Sequence, residues 1–145
     1  MKFASEVEIN LPIDVVTKLF IDPKNLQQWM DGLEGFEQLT GKNRELGSTG
    51  LMILSLAGRN IEMIETITVN NLPHEFSGTY ITKGINDTAR NLFEDLGNNR
   101  TKYTAEHEIV FSGMIKLIAG VVSNQFKKQS DIYLQDFKKF AEKQA

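Results

Sequence analysis

Residues 100–140 read RTKYTAEHEIVFSGMIKLIAGVVSNQFKKQSDIYLQDFKKF, and the change of rhythm at Ser112-Gly113 decides the fold. Up to Phe111 the pattern alternates. Thr101, Tyr103, Ala105, His107, Ile109 and Phe111 fall on one side, and Lys102, Thr104, Glu106, Glu108 and Val110 on the other, the two-residue period of a half-buried strand. From Gly113 onward Ile115, Ile118, Val122, Phe126, Tyr133, Phe137 and Phe140 recur at three, four or seven positions, which predicts one long helix to the C-terminus. About 28 helical residues span about 42 Å at 1.5 Å each, and only a sheet of comparable reach covers such a helix. Gly120 is a point where it can loosen, at about 1 kcal/mol relative to Ala.

Upstream, alternating segments broken by Gly, Asn and Pro predict strands near 34–40, 49–57, 59–70, 75–83, 86–96 and 100–111. The turns between them fall at Gly41 to Gly47, Ala57-Gly58, Asn70-Asn71-Leu72-Pro73, Lys83-Gly84-Ile85 and Gly97-Asn98-Asn99. Phe3 to Ile9 alternates as a first strand. Pro12 then opens a helix with Val15, Val16, Leu19 and Phe20 on its apolar face, and Asp22-Pro23 opens another leading to Leu26, Trp29 and Met30. The order is β-α-α-β-β-β-β-β-β-α. It describes an α+β fold in which a strongly bent antiparallel sheet of about seven strands wraps one long C-terminal helix, with two short helices after the first strand. A bent sheet wrapped on one helix touches it well at the middle and poorly at the ends, so a cavity between them follows from the geometry.

The chain has 145 residues, 41% hydrophobic and 24% charged, which suits a single domain spanning 1–145 and excludes disordered and rod-like classes. It contains no cysteine and two histidines, His74 and His107, so thiol chemistry, disulfides and conventional metal sites are not expected; no metal and no cofactor are assigned. The net charge of −3 argues against nucleic acid as a partner. From Gly113 onward six lysines meet three acidic residues, a mildly basic but mixed surface. The opening Met1-Lys2-Phe3-Ala4-Ser5-Glu6 lacks a secretory h-region, and the stretch Met114 to Val122 is interrupted by Lys116 and falls far short of the roughly 20 residues of a membrane span, so a cytoplasmic location is expected. Gly35 to Lys42 comes near a phosphate-binding loop, but it has one residue too many between its glycines and Asn43 where a Ser or Thr is needed.

The element order, the run Glu8-Ile9-Asn10-Leu11-Pro12-Ile13-Asp14-Val15-Val16, the Asp22-Pro23 helix start, Trp29 and the Asn70-Asn71-Leu72-Pro73 turn together resemble the helix-grip superfamily. This superfamily, also called SRPBCC or START-like, includes polyketide cyclases/dehydratases, the birch-pollen-allergen group, coenzyme Q-binding proteins and the activator-of-Hsp90 homologues. The resemblance spans essentially the whole chain. It implies a hydrophobic cavity for lipids, sterols, polyketides, quinones or hormone-like molecules, and it implies no common catalytic residue.

Which polar side chains face that cavity is a matter of strand parity. The odd face of 100–111 brings Tyr103 and His107 inward, and on 59–70 Glu65 lies among Ile61, Met63, Ile67 and Val69, a costly place for a carboxylate unless paired or hydrated. On 75–83 Tyr80 shares a face with Phe76. A two-residue turn at Asn98-Asn99 pairs Arg90 with His107 and Glu94 with Tyr103, whereas a one-residue slip reverses the faces. Phe126 and Tyr133 lie on the helix stripe, with Gln125 and Gln129 flanking Phe126, and Trp29 and Met30 either gate an entrance or plug the core.

The candidate ligand-binding set is therefore Glu65, Tyr80, Arg90, Tyr103, His107, Phe126 and Tyr133. The leading expectation is binding of a small hydrophobic molecule in the sheet–helix cavity. A second is a cyclase/dehydratase or aromatase-type enzyme with His107 as general acid or base and Tyr103 or Arg90 polarising a carbonyl. A third is a protein-interaction module like the co-chaperone homologues, marked by a filled core and an exposed apolar patch.

Overall fold

A computed structural model describes residues 1–42, 44–56 and 58–144; Asn43 and Ala57, the latter half of an expected turn, lie outside the described residues. Seven strands form one antiparallel sheet: β1 (Lys2–Ile9), β2 (Leu33–Thr40), β3 (Thr49–Leu56), β4 (Arg59–Asn71), β5 (Glu75–Thr82), β6 (Ile85–Gly97) and β7 (Arg100–Phe111). Their spatial order is β1-β7-β6-β5-β4-β3-β2, so β2 to β7 make a meander and β1 closes beside β7. Helices α1 (Ile13–Ile21) and α2 (Leu26–Trp29) follow β1, and α3 (Ala119–Lys143) ends the chain. Between α1 and α2, Asp22 caps a short turn by accepting from the Lys24 amide at 2.9 Å, with Pro23 in the first position, as the sequence signal required.

The sheet curls at its irregularities. Bulges interrupt the pairing at Leu33/Gly35, Gln38/Thr40, Ile67/Val69 and Asp95/Gly97, and each adds local bend and twist. Gly78 sits beside the third of these, where a Cβ would lie 2.7 Å from the Thr66 carbonyl oxygen, so only glycine lets β4 and β5 approach there.

The last bulge corrects the expected register. Asn98 and Asn99 do form a two-residue turn, with φ of 53° and 58°, but Gly97 (φ 80°) donates its amide to Asp95 Oδ1 at 2.8 Å and adds a residue to β6. The pairs become Ala89 with His107 and Phe93 with Tyr103, not Arg90 and Glu94. Arg90 consequently points to the outer face, opposite Glu106, where it meets Glu75 at 3.3 Å and Glu106 at 3.2 Å.

The core is an aromatic plug centred on Phe20 of α1. Its ring lies 5.1 Å from Phe93, 5.4 Å from Tyr103, 5.7 Å from Trp29 and Phe137, and 5.9 Å from Phe76, mostly edge to face. Phe137, Phe140 and Ala141 bring the C-terminal half of α3 onto this plug. The other end differs from the single helix read in the sequence. Gly113–Ile118 forms a 3-10 helix, tethered by the Ser112 amide to Gly84 O at 2.9 Å, and only Ile115 turns inward, against Gly84. Met114, Leu117, Ile118 and Val121 are exposed, because the sheet does not reach under them.

Edge strand β1 is fastened to α3 by charged side chains. Lys127 Nζ donates to Ala4 O (3.0 Å) and to Asp131 (2.8 Å), while Ser5 Oγ donates to Asp131 at 2.5 Å. Four residues further along β1, Lys138 Nζ donates to Glu8 O (2.6 Å) and Glu142 (2.8 Å), and Glu142 also accepts from the Asn10 amide at 2.8 Å. Carbonyls that an edge strand would otherwise present to other chains are thereby occupied.

Burial opposes ionisation of Asp131 and of Glu142, but the hydrogen bonds from Lys127 and Ser5, and from Lys138 and Asn10, outweigh it, so both carboxyls titrate below their ordinary values. A carboxyl with a lowered native pKa contributes stability above its unfolded pKa and loses it as the pH falls through the native one. Asp131→Asn/Glu142→Gln is therefore expected to be less stable than the parent at pH 7 and to lose less stability on acidification, read from urea midpoints across the carboxylate range. An unchanged acid slope would refute this role for the clasps.

Candidate functional site

Beside the plug, where α3 spans Phe126 to Leu134, the inner face of the sheet carries small residues. Ala89 of β6 and Ala105 of β7 share the inner face with Phe93, four residues on, and Tyr103, two residues back, and the space the alanines leave is a cavity of about 130 Å³. Met52, Leu54 and Met63 form its sheet wall, Phe126, Tyr133 and Leu134 its helix wall, and Trp29 and Met30 of α2 its end. The lining is overwhelmingly apolar. An engineered apolar cavity of roughly 150 Å³ admits benzene, so a space of this volume takes a single ring or a short branched chain.

Three hydrogen-bonded polar groups interrupt the lining. The first is ionic. Arg44 Nη2 and Nε donate to Glu65 at 2.8 and 3.3 Å, and the Tyr80 hydroxyl donates to the same carboxylate at 2.6 Å. Arg44 is 3% and Glu65 1% exposed, and the guanidinium carbon also lies 4.8 Å over the Phe76 ring. Burial works against the arginine's charge, but Glu65 outweighs it and holds the pKa above its ordinary value. Burial first, and the Glu65 charge next, push the Tyr80 phenol well up, so it remains a donor. Arg44 adopts φ 54° in the turn after β2, and Asn70 Nδ2 donates to its carbonyl at 3.3 Å, which pins the turn to β4.

The second group is His107 with Asp87. His107 Nδ1 lies 3.0 and 3.1 Å from the two Asp87 oxygens, and Phe3 stacks on the imidazole at 4.9 Å. A carboxylate only accepts, so Nδ1 carries the hydrogen and Nε2 of the neutral ring keeps its lone pair. In the third group, the Tyr103 hydroxyl donates to Asn91 Oδ1 at 2.7 Å, and burial pushes its pKa up. Tyr133, mostly buried, is pushed up to about 12 by burial.

Of the residues singled out in the sequence, Tyr80, Tyr103, His107, Phe126 and Tyr133 line this cavity, together with Trp29, Met30 and Gln129. Glu65 is fully buried behind it, held by Arg44 and Tyr80, and Arg90 is on the opposite side of the sheet. Arg44, Asp87 and Asn91 were not foreseen. The one-residue slip concealed Asp87 and Asn91, which take the inward odd positions of β6. Arg44 sits in a glycine-flanked turn that has no periodicity to read; the signal for it was Glu65, whose place among apolar neighbours demands a cation. Among the described residues no cluster of three or more His, Asp or Glu side chains is placed to hold a metal ion, and no helix is long and apolar enough to cross a membrane.

No protein-family model and no curated protein sequence matches the chain. Solved structures do. The ZhuI aromatase/cyclase from Streptomyces sp. R1128 superposes with a TM-score of 0.86 at 13% identity, covering 98% of this chain and 93% of that one. Ara h 8.0201 superposes at 0.77 and 11% identity (99% and 98% covered). A START superfamily protein from Mycobacterium smegmatis follows at 0.69 and 15% identity (92% and 97% covered). The chain shares the helix-grip fold of these structures, a curled antiparallel sheet around a long C-terminal helix.

Breaking the buried ion pair from one side leaves an uncompensated charge. Glu65→Gln and Arg44→Met are each expected to cost about 3–5 kcal/mol in denaturant unfolding, and Arg44→Met/Glu65→Leu less than either. Additive losses in the double variant would show that the two side chains act separately.

Proposed function

We propose that the protein binds a small, largely apolar molecule in the cavity between the sheet and α3. The observation that carries this reading is the contrast within one core. Phe20, Phe76, Phe93 and Phe137 pack ring on ring at one end, while Ala89 and Ala105 leave a ring-sized space at the other, beneath side chains large enough to have closed it. The apolar wall supplies affinity through burial, at roughly 25 cal/mol per Å² removed from water, and the few polar groups orient the occupant. The likeness of fold to Ara h 8.0201, to a START superfamily protein and to an aromatase/cyclase is consistent with a container. Its size favours monocyclic or short-chain members of the lipid, polyketide and quinone classes over a whole sterol.

A second reading, cyclase/dehydratase-type catalysis, is favoured by the Asp87–His107 pair. A carboxylate that fixes the Nδ1–H tautomer leaves Nε2 free to remove or deliver a proton, and the imidazole lines the cavity. Tyr103 would stand on the same wall, its hydroxyl donating to Asn91.

Native mass spectrometry of the protein from its producing cells, followed by thermal-shift screening of fatty acids, quinones, sterols and small aromatic ketones, tests the binding reading. A ligand at a hundred times its Kd is expected to raise stability by about 2.7 kcal/mol. Ala105→Phe is expected to fold, at a cost of about 1–3 kcal/mol from overpacking, and to lose the response; a retained response would place binding elsewhere. His107→Gln is expected to keep ligand binding and, if the second reading holds, to lose turnover of a poly-β-ketone substrate. Equal turnover in the two proteins would refute the base assignment.

A further inference from the structure

The buried polar atoms left without a partner around the cavity include strict donors, and this deepens the ligand-binding reading on which it rests. Among the described residues, five buried side-chain polar atoms have no partner in the protein: Trp29 Nε1, Arg44 Nη1, Ser48 Oγ, Ser123 Oγ and Ser130 Oγ. Three of these, on Trp29, Arg44 and Ser130, belong to residues that line this one cavity, and all three residues are at least nine-tenths buried. An indole N–H and a guanidinium N–H can only donate, and a serine hydroxyl can donate. The carboxylate and amide acceptors nearby each hold a donor already, since Glu65 takes Arg44 and Tyr80, Asp87 takes His107, and Asn91 Oδ1 takes Tyr103; His107 Nε2 keeps its lone pair.

A buried donor without an acceptor costs a full desolvation penalty, so a molecule that brings acceptor oxygens restores what folding removed, and one that brings only donors leaves the Trp29 and Arg44 N–H groups unmatched. Charge narrows the choice further. The positive charge of Arg44 is already neutralised by Glu65 at 2.8 Å, and Asp87, the cross-strand partner of Tyr80, adds a carboxylate on the same sheet face, so a second anion would enter a site with no uncompensated cation.

The geometry points to a neutral, ring-sized ligand carrying carbonyl-type acceptor oxygens, held by the indole N–H of Trp29, the free guanidinium N–H of Arg44 and the Ser130 hydroxyl. Hydrocarbons of the same shape satisfy the wall but not the donors. Carboxylates satisfy the donors but bring the wrong charge.

Acetophenone, ethylbenzene and benzoate make a matched set of probes. Trp29 is the only tryptophan in the chain, so its indole N–H gives a single signal in a 15N-correlated NMR spectrum of the intact protein. Titration with acetophenone is expected to move that signal downfield and titration with ethylbenzene is not, while benzoate binds more weakly than acetophenone. In Trp29→Phe/Ser130→Ala the ratio of the ethylbenzene Kd to the acetophenone Kd is expected to fall by about tenfold relative to the parent, the loss of two modest hydrogen bonds. Ser130→Ala alone gives a smaller fall and covers the case in which the tryptophan variant does not fold. If acetophenone and ethylbenzene both bind, with an unmoved indole signal and an unchanged ratio, the donor assignment is overturned and the cavity reading stands. Tighter binding of benzoate than of acetophenone overturns the preference for a neutral acceptor. Failure of all three to bind up to their solubility limits overturns the binding reading itself, and the inference with it.

Discussion

The packing of Phe20 against rings from three strands and two helices is the interaction on which the rest of the molecule depends. Phe76, Phe93 and Tyr103 come from β5, β6 and β7, Trp29 from α2 and Phe137 from α3, so one side chain of α1 joins every layer. Edge-to-face aromatic pairs contribute beyond the area they bury. They also set how closely α3 can approach the sheet, because a helix seated on rings at one end stands away from a curled sheet at the other. The clasps from Lys127 and Lys138 to β1 then hold α3 in that inclined position.

The cavity is a product of this seating and of the small residues opposite Phe126 and Leu134. Its electrostatics follow from the same constraint. A carboxylate at Glu65 could not be buried without a cation, and the nearest element able to supply one is the turn after β2, whose Arg44 folds inward and is tied to β4 through Asn70. Pairing within the protein leaves the Trp29 indole N–H and one Arg44 N–H without an acceptor, and these buried donors add a chemical requirement to the shape of the cavity.

Much of the architecture was legible in the chain because it is written in local periods. The alternation through β7, the helical stripe of α3 and the Asp22-Pro23 start each depend on neighbours a few residues away, and the strands, both short helices and their order follow from them. The parity of β4 and β7 also placed Glu65, Tyr103 and His107 on the inner face. Parity failed on β6. One bulge at Asp95–Gly97 turned Arg90 outward and brought in Asp87 and Asn91, since a single inserted residue exchanges every side chain between the two faces. The stripe of α3 was likewise legible, but not where the sheet beneath it ends, so Ile118 lies exposed while Phe137 is sealed.

The sequence by itself therefore determined the class of fold and put Tyr80, Tyr103 and His107 on the inner face of the sheet, because these rest on local spacing and on burial of apolar faces. Only the tertiary structure decided which end of the gap is filled, that Arg44 answers Glu65, that Asp87 orients His107, and that the unpaired polar atoms of the cavity include two N–H groups that can only donate. Those outcomes turn on the pairing of residues 15 to 26 positions apart and on a bulge that shifts a register by one residue. Nothing in the local pattern of either partner records such pairings, because they are selected by the cost of leaving a buried charge or hydrogen bond unmatched once the chain has closed on itself.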